Sequence, residues 1–144
     1  MSLKSFSGGL VSLSQRIDVR LGRFAIFLVY FWFGFLKLIG LSPAGPLVLA
    51  LFEKTLGFMM PFPIFYSLFA VFEMAIGILF LIKGFEKLAF LFLAIHIFTT
   101  VLPLILLPSI AWNAPFVPTL EGQYILKNIL IVSVAVFIAA RKKD

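Results

Sequence analysis

Lys37, Glu73, His96 and Lys127 each stand inside an otherwise apolar stretch of the chain, one to a stretch. Ionisable groups are costly to place in hydrocarbon, so side chains of this kind mark a candidate buried site. They offer proton exchange and the binding of a carbonyl or an anion. Glu73 and His96 are the candidate catalytic acid–base pair, and Lys37 and Lys127 carry the positive charge that would hold a carbonyl or negative oxygen. Tyr30 and Thr99, which share helix faces with the charged groups, and Asn128, beside Lys127, join them as candidate substrate-binding residues. No metal site is expected. One histidine and no cysteine rule out thiolate zinc, iron–sulfur and bis-histidine haem ligation, and the lack of cysteine also removes disulfides and thiol catalysis.

These groups must be positioned by segments whose solvent is lipid. The chain is 62% hydrophobic and 12% charged, with a mean hydropathy of +1.16, as in an integral membrane protein. At about 20 residues per span, 144 residues make one membrane domain, an all-α bundle of four transmembrane helices. The apolar runs put the spans at 24–41, 64–82, 88–107 and 124–140, bounded by Arg23, by Pro61 and Pro63, by Lys87 and by Arg141. Residues 1–23 lack a short apolar region followed by a small-residue cleavage site and read as a retained amphipathic segment, with Leu10, Val11, Leu13, Ile17 and Leu21 among Ser, Arg and Asp. Between spans one and two, Pro46 to Met60 is too apolar for a free loop. Interrupted by Glu53 and Lys54, it is also too short to cross, and reads as an additional interfacial or re-entrant helix.

The basic residues set the expected orientation. Lys4, Arg16, Arg20, Arg23, Lys83, Lys87, Arg141, Lys142 and Lys143 fall on one side of such a bundle, so the positive-inside rule puts both termini in the cytoplasm and loops 42–63 and 108–123 outside. In the second of these loops Trp112, Phe116 and the prolines suit headgroup level. The net charge of +6 is accounted for by a surface facing anionic lipid, so no nucleic-acid partner is expected.

At 1.5 Å per residue, Glu73 lies roughly 15 Å in from Lys83 and His96 roughly 13 Å in from Lys87, while Lys37 and Lys127 both lie at roughly 21 Å. Helical spacing gathers Tyr30, Gly34 and Lys37 on one stripe, Ala70, Glu73 and Gly77 on a second, and His96, Thr99, Thr100 and Pro103 on a third. Gln123, Tyr124 and Lys127, with Asn128 beside them, make the fourth. Small and polar faces are the ones that meet in membranes, so the four stripes are expected to converge. Each residue also has a plainer reading. The lysines can snorkel to the interface, and His96 fits a satisfied core histidine. Glu73 has no short route to water and must be protonated or paired, with Lys37 or Lys127 as the natural partner. Two lysines against one glutamate leave about one uncompensated positive charge when His96 is neutral, which suits an anionic or carbonyl-rich guest. A purely structural ion-pair network stays open beside it.

The run Gly34-Phe35-Leu36-Lys37, the run Glu73-Met74-Ala75-Ile76-Gly77 and the run Gly122-Gln123-Tyr124-Ile125-Leu126-Lys127-Asn128 resemble the DoxX-like membrane proteins over residues 20–140. The last run and Phe98-Thr99-Thr100 are similar to the YkgB-like branch, where Asn128 stands at a position that tends to hold an acid. The resemblance implies a four-helix bundle of the bacterial cytoplasmic membrane. It also implies links, in some members, to thiosulfate–quinone oxidoreduction, terminal oxidases and oxidative stress; no intrinsic cofactor is expected, and the expected guest is a quinone or a small anion. The alternative is a non-catalytic accessory subunit of a larger membrane complex, or a homo-oligomer, whose apolar faces dock partners.

Overall fold

The computed structural model describes residues 3–141, with side chains described for Ser12 and for residues 18–141. Seven helices and one small hairpin follow in order: α1 (Leu3–Leu38), α2 (Gly45–Thr55), α3 (Phe62–Leu81), α4 (Glu86–Val101), α5 (Pro103–Leu106), α6 (Pro108–Ala111), β1 (Trp112–Ala114), β2 (Val117–Pro118) and α7 (Leu120–Ala140). Among the described residues four helical stretches are long and apolar enough to cross a membrane: Asp18–Leu38, Phe62–Leu81, Glu86–Leu106 and Leu120–Ala140. The chain is thus a multi-pass, all-α four-span bundle.

All four spans begin earlier than the apolar runs suggest, and the first three also end earlier, because local chemistry sets the ends. Pro63 sits in the first turn of α3, where its missing N–H is not needed. Thr119 caps α7, its hydroxyl oxygen accepting from the Gly122 N–H at 3.1 Å, which starts that helix ahead of Tyr124. The expected boundary near Arg23 does not exist: α1 runs unbroken through it, and Gly22 is spanned because it packs on Val134 and Ile138 of α7. The interleaved face of Leu10, Val11, Leu13 and Ile17 lies outside the described side chains. At its far end α1 stops at Gly40, whose φ of +74° permits the reversal. There the Leu41 N–H donates to the Leu36 carbonyl at 2.9 Å and the Gly40 N–H to the Lys37 carbonyl at 3.3 Å, a Schellman closure. Pro103 interrupts the third span, dividing it into α4 and α5.

The bundle has two ends. One, the terminal end, carries the start of the first span, the α3–α4 turn and the end of α7. The other, the loop end, carries α2, α6 and the hairpin. The extra helix expected in the first long loop is present as α2, which is too short to span. It caps the loop end by burying Phe52 against Phe62 and Phe65 and by donating from Lys54 Nζ to the Leu106 carbonyl at 2.6 Å. The second long loop holds more structure than its prolines suggest, since α6 and the β1–β2 pair close on α7 through Gly122, where a side chain would meet the Ala111 carbonyl.

α1 and α3 form the most extensive contact, antiparallel, and glycine makes it close. A Cβ on Gly34 would lie 2.7 Å from the Ala70 carbonyl, and one on Gly77 would lie 3.0 Å from the Phe27 carbonyl. Ile26, Tyr30, Ile76, Phe80, Ala89, Leu93, Ala135 and Ile138 form the buried core around this pair.

At the terminal end, Arg23 donates to the Phe80 carbonyl at 3.1 Å and to Glu86 at 2.8 Å, while the other Glu86 oxygen accepts from the Gly84 N–H at 2.9 Å. This clasp fixes the first span against the α3–α4 turn. Arg23→Met is expected to lower stability by about 2 kcal/mol, as for other hydrogen bonds to charged groups, measured by thermal unfolding in detergent micelles. A change within error would mean that the clasp is solvated.

Candidate functional site

Gly34 and Gly77 bracket Glu73 along the α1–α3 contact, and their lack of side chains brings the two backbones close enough for a lysine stem to reach the carboxylate. Lys37 Nζ lies 2.6 Å from Glu73 Oε2. The other carboxylate oxygen, Oε1, is 2.8 Å from His96 Nε2 on α4. The far side of the imidazole, Nδ1, is 3.1 Å from the Tyr30 hydroxyl of α1. Three spans thus contribute to one chain of hydrogen bonds, Tyr30–His96–Glu73–Lys37. All four residues are at most 8% exposed.

One arrangement of protons satisfies every member of this chain. An ionised Glu73 accepts from the Lys37 ammonium and from the His96 Nε2–H, which leaves Nδ1 to accept from the Tyr30 O–H. The Thr100 hydroxyl lies 3.2 Å from the same nitrogen, but its hydrogen goes to the His96 carbonyl at 2.8 Å. Lys37 and Glu73 then cancel and His96 is neutral, so the cluster carries no net charge. Phe69 closes one side, stacked on the imidazole at 5.4 Å and 11° and lying 5.8 Å from Lys37 Nζ.

Of the two lysines expected as partners of Glu73, Lys37 is the one that reaches it. It occupies the last turn of α1, next to the loop end, yet its side chain runs inward. Side chains on a helix tilt toward its N-terminus, and α1 runs from the terminal end to the loop end, so the stem of Lys37 is aimed into the bundle.

Lys127 does not join the cluster, and the fourth stripe does not converge with the other three. α7 runs the opposite way, so the same tilt aims Lys127 toward the loop end. Its ammonium lies 5.1 Å from the centre of the Tyr124 ring, on an exposed face with Gln123. The inward face of α7 is Gly122, Ile125, Ala135 and Ile138, and Lys127, two positions after Ile125, is turned about 200° from it. Asn128 is half-buried on α7 and is not a member of the chain of hydrogen bonds. Thr99 donates to the His96 backbone carbonyl at 2.8 Å rather than to a member of the side-chain chain.

The excess positive charge expected from two lysines is therefore absent from the site. Sequence reasoning also missed Phe69, although it lies one turn from Glu73 on α3 and could have been found by that spacing. The Tyr66 hydroxyl, seven residues before Glu73 on the same helix, is the buried side-chain polar atom without a hydrogen-bond partner among the described residues. It stands beneath Gly45 at the start of α2. No group of three or more metal-binding side chains occurs among the described residues. Comparison with known protein families, with curated proteins and with solved structures finds no match to the chain.

Proposed function

We propose that this protein is a DoxX-like protein of the bacterial cytoplasmic membrane, with both termini in the cytoplasm, and that it binds a quinone at its midplane polar site. The observation that carries this reading is the unbroken chain Tyr30–His96–Glu73–Lys37, buried among three spans. Titratable groups joined in this way can pass a proton to or from a guest oxygen. A buried hydroxyl without a partner also supports a guest: a carbonyl oxygen accepting from Tyr66 would satisfy it. The clustering of Lys and Arg at the terminal end supports the orientation, and the resemblance of the glycine- and lysine-bearing runs supports the family and its link to redox and oxidative-stress metabolism.

A second reading, an accessory subunit whose cluster locks helix register, is favoured by the neutrality of the site and by the closure of its hydrogen bonds. Binding of a short-chain benzoquinone to the purified protein separates the two. Tyr66→Phe removes one oxygen and leaves the packing intact, and with Lys37→Met it is expected to weaken binding at least about tenfold, the loss of roughly one hydrogen bond to a polar guest. Equal binding by wild type and both folded variants, or no binding by any, would leave the structural role standing.

A further inference from the structure

Lys127 lies outside the buried chain, in none of the ion pairs among the described residues: Arg23–Glu86, Lys37–Glu73, His96–Glu73 and Arg141–Asp18. It is exposed on a transmembrane helix, beside Leu126, Ile129 and Leu130, which are 45%, 68% and 65% exposed and suit contact with acyl chains. A cation at such a place needs a counter-charge from its surroundings. From the backbone at position 127, seven residues into the span, the end of the helix is about 10 Å away. The stem runs that way, over Tyr124 one turn nearer the loop end. Snorkelling along its own stem brings the ammonium to headgroup level.

The surroundings are graded along the same direction. Gln123 and Tyr124, both exposed, stand on the loop-end side of Lys127, while Ile129 and Leu130 lie deeper. A shallow groove on this face of α7 is lined by Gln123, Leu126, Lys127, Ile129 and Leu130. Polar donors above and an apolar bed below match a phospholipid, whose phosphate sits over its chains. The geometry assigns to Lys127, Tyr124 and Gln123 a binding site for the phosphate of an anionic phospholipid in the loop-end leaflet, with one acyl chain in the groove of Leu126, Ile129 and Leu130. Lys127 supplies the charge. The Gln123 amide and the Tyr124 hydroxyl supply neutral donors on the same stripe. This site is independent of the buried chain and of any quinone.

Full-length protein solubilised from vesicles of equal phosphatidylglycerol and phosphatidylcholine tests it by native mass spectrometry. Wild type is expected to retain phosphatidylglycerol over phosphatidylcholine, with Lys127→Gln reducing that preference about fivefold, the effect of one basic residue at a lipid surface, and Lys127→Arg preserving it. An unchanged preference in Lys127→Gln would overturn the site. Displacement of the lipid by inorganic phosphate alone would assign the lysine to a free anion instead. Loss of an oligomer in Lys127→Gln, without loss of lipid, would assign it to an acidic group on a neighbouring protein helix. Because the residue is exposed, Lys127→Gln is expected to fold, and an unshifted melting temperature checks this.

Discussion

Glu73→Leu is expected to destabilise the protein by about 3–5 kcal/mol, because it leaves the Lys37 ammonium buried without a counter-charge. His96 loses its carboxylate at the same time, which adds to the cost of the single substitution. The double variant Lys37→Met/Glu73→Leu should recover most of the loss, since it removes both charges and fills their space with apolar atoms. Denaturant titration of the four proteins in micelles, arranged as a cycle, reads the coupling directly. A coupling near zero would mean that Lys37 and Glu73 are independently solvated and that the close pair has no energetic meaning. Recovery in the double variant together with loss of quinone binding would separate what the pair does for the fold from what it does for a guest.

Gly34→Ala has the second-largest expected effect. Its new methyl group would stand 2.7 Å from both the Ala70 carbonyl and Met74 Cγ, with the Met74 N–H nitrogen at 3.1 Å. Methionine can move, but a helix backbone cannot, so α1 and α3 must part. The cost should be about 1–3 kcal/mol, as for overpacking generally. The same separation lengthens the path from Lys37 to Glu73. A fall in quinone affinity with every polar group still present is therefore expected, measured in the binding assay above and compared with the melting temperature. Full stability in Gly34→Ala would show that the helices tolerate a wider spacing than the structure adopts.

Much of the fold was legible because membrane solvation writes it into composition. The four long apolar runs, the prolines before the second span and the charges at the terminal end led to the four-span bundle now seen. Part of the site was legible too: the cost of a lone carboxylate among apolar residues singled out Glu73, and a lysine stem was its only plausible close partner. Which lysine was harder. Counting residues gives depth along a helix but says nothing of its rotation, and at equal depth Lys37 and Lys127 looked equivalent. Two signals could have parted them. Gly122 and Ala135 mark the small-residue face of α7, and Lys127 lies away from it. The direction of the chain also decides where a stem points, inward on α1 and outward on α7. The clasp of Arg23 and Glu86 was illegible for another reason: it depends on how distant segments meet, which no local pattern encodes; the Thr119 cap, a threonine three residues before the N–H it accepts from, is a local pattern that could have been read.

The closure of Lys37 on Glu73 has a consequence for a cell that maintains a membrane potential. A charge moved across the whole membrane gains or loses about 2.3 kcal/mol per 100 mV. The two centres are 2.6 Å apart, less than a tenth of a hydrocarbon core about 30 Å thick, so the field acts on the pair with no more than about 0.2 kcal/mol per 100 mV. At rest the site is nearly blind to voltage. Glu73 lies near the middle of its span, so one proton gained or lost there would create a net charge about halfway through the potential, worth roughly 1 kcal/mol per 100 mV. The neutral cluster would then become a voltage-sensitive one, its proton affinity tied to the energisation of the membrane around it.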